Sequence, residues 1–289
     1  MPNNIDLIIE PKERDLGDFT VKRVLPYPKK RAVGPFIFFD HMGPVDFKPG
    51  VGIDVRPHPH IGLATVTYLF SGEITHRDSL GYVQSIRPGD VNWMTAGRGI
   101  VHSERTGDDV RAQGHELHGL QIWVGLPKKD EETDPTFFHH PEASLPQFDI
   151  DGVSIRLIVG SAHGHTAPVA TFSPIFYLDV QMQNGDTYVV SEEYEERAIY
   201  LLDGEVSIDS QKILPGQMVV LSANEPVKIV ADSAARLVVL GGAPLDGERH
   251  LFWNFVSSSS ERLEQAKQQW RQQNFDKIPG ETEFIPLPE

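Results

Sequence analysis

The sequence predicts an all-β protein built from two copies of one barrel-like domain, with a short helix near its C-terminal end. Short β-branched and aromatic runs, turn residues at close intervals and an internal repeat predict it. Leu63 to Phe70 reads LATVTYLF, and LQIWVGL from Leu120 and SIRLIVG from Ser154 share that character. Such residues fit the pleated, half-buried surface of a strand. Turn signals punctuate the runs at Ser71-Gly72, Pro88-Gly89-Asp90, Asp203-Gly204 and Pro215-Gly216. The chain carries 25 glycines and 22 prolines in 289 residues, enough for many such turns. Many short strands with frequent turns belong to sandwiches and barrels.

The repeat sharpens this. Residues 69–90 read LFSGEITHRDSLGYVQSIRPGD, and residues 201–217 read LLDGEVSIDSQKILPGQ. Both give strand, X-Gly-Glu turn, strand, Pro-Gly and a further strand. Gly72 then matches Gly204, and Pro88 matches Pro215. A separation of this size means a duplicated domain rather than a solenoid, whose periods are far shorter. The Gly-rich segment GSAHGHTAP (160–168) is the expected hinge, which divides the chain into domains 1–160 and 161–289. Near the end, Ser258 and Glu261 can form a capping box, with Leu263, Ala266 and Trp270 on one helical face. That helix is expected to pack against the barrels.

Composition narrows the function. There are no cysteines, so disulfides, thiolate metal sites and cysteine nucleophiles are excluded together. Any metal must use His, Asp or Glu. The net charge of −15 repels phosphate backbones, so direct nucleic-acid binding is not expected. No run of about 18 apolar residues exists, so no membrane span is expected. MPNNIDLIIEPKERD at the start places charges where a signal peptide needs an apolar centre. A cytoplasmic globular protein is the expectation.

The chemistry lies in RPHPHIG (56–62) and GRGIVHSER (97–105). On a strand, residues i and i+2 share a face, so His58 and His60 point one way. His102 and Glu104 repeat that spacing. Three neutral imidazoles and one carboxylate can hold a divalent transition metal and leave coordination positions open. Counting from the repeat, the second copy carries Val190, Glu192, Ile229 and Ala231 at the matching places. A lone His-x-His is more often a pair of surface histidines. Both half-motifs present in one copy and absent from the other favour a site.

With HPHIG, WMTAGRGIVHSE, HGLQIWVGLP and GPFIFFDHMGP, the sequence resembles the pirin family of the cupin superfamily over nearly its whole length. The resemblance implies two cupin barrels packed face to face, with metal in the N-terminal barrel only. It implies a mononuclear divalent metal, usually iron as Fe(II), on His58, His60, His102 and Glu104. Ni, Cu, Co, Mn or Zn are also compatible with this ligand set. One departure is Ala64, where cupins commonly place a glutamate after the histidine pair.

Other histidines carry plainer expectations. His163 and His165 are expected in a solvated loop, and His139 and His140 on opposite strand faces. His118 is expected to be hydrogen-bonded beside the barrel, and His76 and Asp78 to be polar strand residues. Gly97 and Gly99 serve a tight turn, and KKDEETD (128–134) an exposed loop.

The resemblance supports two functions. One is a quercetin 2,3-dioxygenase-type enzyme acting on a flavonol or similar aromatic substrate with O₂, in which Glu104 is ligand, catalytic proton acceptor, or both. The other is a metal-dependent redox sensor that binds protein partners. Trp93, Met94, Phe38 and Phe39 are the candidate walls of a substrate pocket.

Overall fold

The computed structural model describes residues 4–289 apart from 16, 18 and 224. Its chain forms two compact units. One comprises Arg14–Val21, Asp40–Glu142 and Leu245–Glu289, and we call it the histidine unit. The second comprises Met1–Glu13, Lys22–Phe39 and Ala143–Pro244.

The same strand order recurs in both, as the repeat requires. In the histidine unit a four-stranded sheet runs Asp54–His60, Ile100–Arg105, Ile74–Asp78, Val83–Ile86. In the second unit the matching sheet runs Thr187–Val190, Val227–Ala231, Val206–Ile208, Gln211–Ile213. Each packs its apolar face on a larger antiparallel sheet. Leu69 and Leu117 meet Ile74 and Ile86 in one core, and Leu201 and Leu237 meet Val206 and Ile208 in the other. The repeat is visible at single hydrogen bonds. Gly89 N–H donates to the Leu69 carbonyl at 3.0 Å, and Gly216 N–H to the Leu201 carbonyl at 2.8 Å. Gly72 and Gly204 take φ of +83° and +82°, a backbone form that glycine adopts without strain.

The domain boundary differs from a single cut at 160. The first strand, Ile5–Ile9, pairs with Met218–Leu221 and places Ile5 in the second unit's core. The last segment goes the other way. Ile61 and Val101 of the histidine unit share an apolar cluster with Phe255, Leu263, Ala266, Trp270 and Ile278. The ends are thus exchanged because each carries apolar residues that complete the distant copy. The expected hinge is instead a hairpin of the second unit, where Val153–Ala162 pairs with His165–Thr166 through a turn at Gly164.

The C-terminal helix spans Ser260–Arg271 and buries Leu263, Ala266 and Trp270, the expected face. Its cap is Ser259 rather than Ser258. Ser259 Oγ accepts from Arg262 N–H at 3.2 Å and donates to Glu261. Ser258 N–H and Oγ–H donate to Glu131. That contact corrects the reading of KKDEETD as a purely exposed loop. Glu131 is buried and pairs with Arg249 at 2.6 Å. Among the described residues no helix is long and apolar enough to cross a membrane.

Trp270 ties the end of the chain down. Its ring meets Trp253, Phe275 and Phe284, and its Nε1–H donates to the Ile285 carbonyl at 3.0 Å. Trp270→Ala is expected to destabilise the histidine unit by about 3–5 kcal/mol, read by chemical denaturation. A loss below about 1 kcal/mol would show that the helix is dispensable to the core.

Candidate metal centre

The site is built by one antiparallel strand pair. His58 lies directly opposite His102, and Ile100 opposite His60. On the other side His102 lies opposite Asp78, and Glu104 opposite His76. Two-residue alternation then turns His58, His60, His76, Asp78, His102 and Glu104 to one face. The register shifts between His102 and Glu104, because three steps from Val55 to His58 oppose two on the partner. Pro57, which has no N–H to offer a ladder, sits in that bulge.

Three imidazoles converge. One nitrogen from each of His58, His60 and His102 lies within 4.8 Å of the others, the one such group among the described residues. His60 Nε2 and His102 Nε2 are 3.1 Å apart. Two nitrogens each about 2.1 Å from one ion at a right angle would be about 3 Å apart. The three rings are 6%, 1% and 1% exposed, and water cannot support charge on them. Burial pushes His58 down to about 4, against a smaller upward effect of its bond to the Arg56 carbonyl. Burial, and then the neighbouring imidazoles, hold His60 and His102 well below the usual range. All three are therefore neutral near pH 7, the form a metal needs.

Ring orientation is set behind the cluster. His58 Nδ1–H donates to the Arg56 carbonyl at 2.9 Å, which leaves Nε2 as the ligand atom. His102 Nδ1 is 3.3 Å from His76 Nδ1, and His76 Nε2 is 2.9 Å from Asp78 Oδ2. His60 Nδ1 has the Asn254 backbone near it but no hydrogen bond of regular geometry. Glu104 faces the same way and is half-buried, and burial raises its carboxyl to about 7. It is not part of the close histidine group. The donor set fits a divalent transition metal, with three histidines converging and Glu104 within the same inward row.

The facing sheet supplies an apolar wall that differs from the expected one. Trp123, Thr65, Met94 and Phe137 lie in one cross-strand row. Trp123 packs edge-on against His60 at 5.1 Å, and Phe137 stacks on His76 at 4.2 Å. Met94 thus belongs to the site side. Trp93 points to the opposite face, where its Nε1–H donates to Thr95 Oγ1. Phe39 packs against Tyr200 and Phe38 lies under Arg23, both inside the second unit. Ala64 also faces away, and Thr65 is the inward residue of that pair. Trp123 shares the site face with Gln121, two residues earlier in HGLQIWVGLP, and that two-residue period is the signal the sequence offers for it. The expectation of plain polar strand residues at His76 and Asp78 is corrected, since both are buried behind His102. The i, i+2 spacing that singled out His58 and His60 was present in them as well.

The remaining histidines stay outside. His163 Nε2 hydrogen-bonds Tyr188 OH at 2.8 Å, and exposed His165 stacks on Phe148. His118 Nε2 is 2.8 Å from His41 Nε2, and His139 Nδ1 is 2.8 Å from Asn92 Oδ1. The second unit's counterpart of the centre is also shifted by two residues from the counted positions. Ile229 lies opposite Tyr188, and Val227 opposite Val190. Tyr188 and Val190 therefore stand where His58 and His60 do, in place of Val190 and Glu192. Both are buried in an apolar core with Ile229 and Ala231.

His58→Ala and His102→Ala are each expected to weaken metal binding by more than about 100-fold with strand content unchanged. Metal analysis after reconstitution, with circular dichroism, checks this. Full occupancy in either variant would remove the assignment.

Comparison with known proteins gives the family. The pirin profile matches residues 18–124, and the pirin C-terminal cupin domain matches residues 177–276. A pirin-like protein of Caulobacter vibrioides is 48% identical over 99% of this chain and all (100%) of its own length. Human pirin is 32% identical over 85% of this chain and 84% of its own. A crystal structure of quercetin 2,3-dioxygenase from Acinetobacter baumannii superimposes with a TM-score of 0.91 at 33% identity. It covers 98% of this chain and 95% of that one. Two cupin units in one chain, matched along nearly the whole length, place this protein in the pirin family.

Proposed function

We propose that His58, His60, His102 and Glu104 hold one divalent transition metal, Fe(II) first among the candidates, and that the chain is a quercetin 2,3-dioxygenase-type oxygenase acting on a flavonol-like aromatic substrate. The observation that carries this is the convergence of three neutral, buried imidazoles in front of an aromatic wall. The likeness to the Acinetobacter enzyme supports the reaction class. A bound ion of this kind supplies Lewis acidity toward a substrate hydroxyl and a redox partner for O₂.

The chain's own groups divide the remaining work. His58 and His102 present Nε2 because their other nitrogens are engaged, so the ligand face needs no rearrangement of those rings. Trp123, Met94 and Phe137 keep the site side apolar, which strengthens every charge interaction there. Glu104, whose inward carboxyl burial raises in the metal-free protein, is the group placed to take a proton from a substrate hydroxyl.

The sensor reading also has an observation in its favour. The three imidazoles are 6%, 1% and 1% exposed, and so closely covered that they suit a metal that reports its state without contacting substrate.

Oxygen uptake by anaerobically Fe(II)-loaded protein on adding quercetin separates the two. Uptake that depends on metal and falls by at least about 100-fold in Glu104→Ala is expected. No uptake with one bound iron per chain would discard the oxygenase and leave the sensor.

A further inference from the structure

We infer that His76 and Asp78 are positioning residues that decide which ring nitrogen of His102 carries its proton, and so turn the lone pair of His102 Nε2 toward His58 and His60. The inference rests on the reading of those three histidines as metal ligands. It assigns a task to two residues that the ligand set does not use.

The argument is one of donors and acceptors. Asp78 is fully buried, and its carboxylate can only accept. Oδ1 takes the backbone N–H of Leu80 at 2.9 Å and of Tyr82 at 3.0 Å. Oδ2 faces His76 Nε2 at 2.9 Å, so that nitrogen is the donor. A neutral imidazole that donates from Nε2 accepts at Nδ1. His76 Nδ1 faces His102 Nδ1 at 3.3 Å, so His102 must donate there. Its Nε2 is left bare, on the side where His60 Nε2 lies 3.1 Å away. Phe137, stacked on His76 at 4.2 Å and 10° between planes, holds the middle ring flat in this chain.

Each link is dictated by its predecessor, and the first is anchored by a backbone turn. Reversing the anchor should reverse the chain. In Asp78→Asn the side-chain oxygen can keep the Leu80 and Tyr82 amides, and the NH₂ then donates to His76 Nε2. His76 must now donate from Nδ1, His102 must accept there, and the proton of His102 moves to Nε2. The opposite amide orientation would set NH₂ against two backbone N–H groups, which costs both turn hydrogen bonds. In His76→Gln the polarity survives, since an amide offers oxygen to His102 and NH₂ to Asp78.

The test uses full-length, metal-free protein labelled with ¹⁵N at histidine, read by long-range ¹H–¹⁵N correlation. Titration with Co(II) by calorimetry follows on the same samples. His102 should be protonated at Nδ1 in the parent and at Nε2 in Asp78→Asn. Co(II) should bind Asp78→Asn about 10–100-fold more weakly, with His76→Gln close to the parent. If the parent binds Co(II) while Asp78→Asn keeps the parental tautomer and affinity, the relay is overturned and the metal centre stands. His76→Gln as weak as Asp78→Asn would also overturn it, because polarity rather than ring shape is claimed. A parent that binds no Co(II) would overturn the metal reading and this inference together.

Discussion

Burying three imidazoles without charging them is the constraint on which the site depends. A protonated imidazole among His58, His60 and His102 would lose hydration and face its neighbours' charge, and both effects hold the rings neutral. Neutrality alone leaves the proton on either nitrogen, and only one choice is useful to a metal. The fold therefore adds acceptors behind two of the rings, the Arg56 carbonyl for His58 and His76 for His102. The cost of burying Asp78 is offset by three hydrogen bonds to its oxygens.

The duplicated barrel shows that scaffold and site are separable. The second unit has the same strand order and the same Pro-Gly hydrogen bond, yet Tyr188, Val190 and Ile229 fill its centre as ordinary core. Its burial of the Tyr188 phenol raises that group's pKa, and His163 takes up the hydroxyl. Packing of this kind stabilises a barrel without any metal. Polar residues at the same places in the histidine unit have no folding advantage to explain them, which is why they read as functional.

Alternation along the Ile100–Arg105 strand divides its duties between two faces. His102 and Glu104 look inward to the site. Val101 looks outward into the apolar cluster with Trp270, while Ser103 and Arg105 hydrogen-bond Glu281 of the terminal segment. Ile285 N–H adds a bond to the carbonyl of Pro57, the residue just before His58. The end of the chain thus braces the back of the ligand-bearing strands and keeps their register fixed.

Local pattern by itself determined the strand-rich class, the duplication, the buried face of the C-terminal helix and the four candidate ligands. These depend on spacing within a strand, a turn or a helix, and spacing is written in the chain. Tertiary structure decided the rest. Exchange of the chain ends between units could not be read locally, because Ile5 and Trp270 are apolar wherever they pack. The two-residue shift to Tyr188 and Val190 came from pairing register, which an insertion between motifs hides from counting. His76 and Asp78 looked like any polar pair until a neighbouring strand set them behind His102. A hydrogen-bond relay between strands has no spacing of its own in the sequence; only the sheet register brings its members within reach.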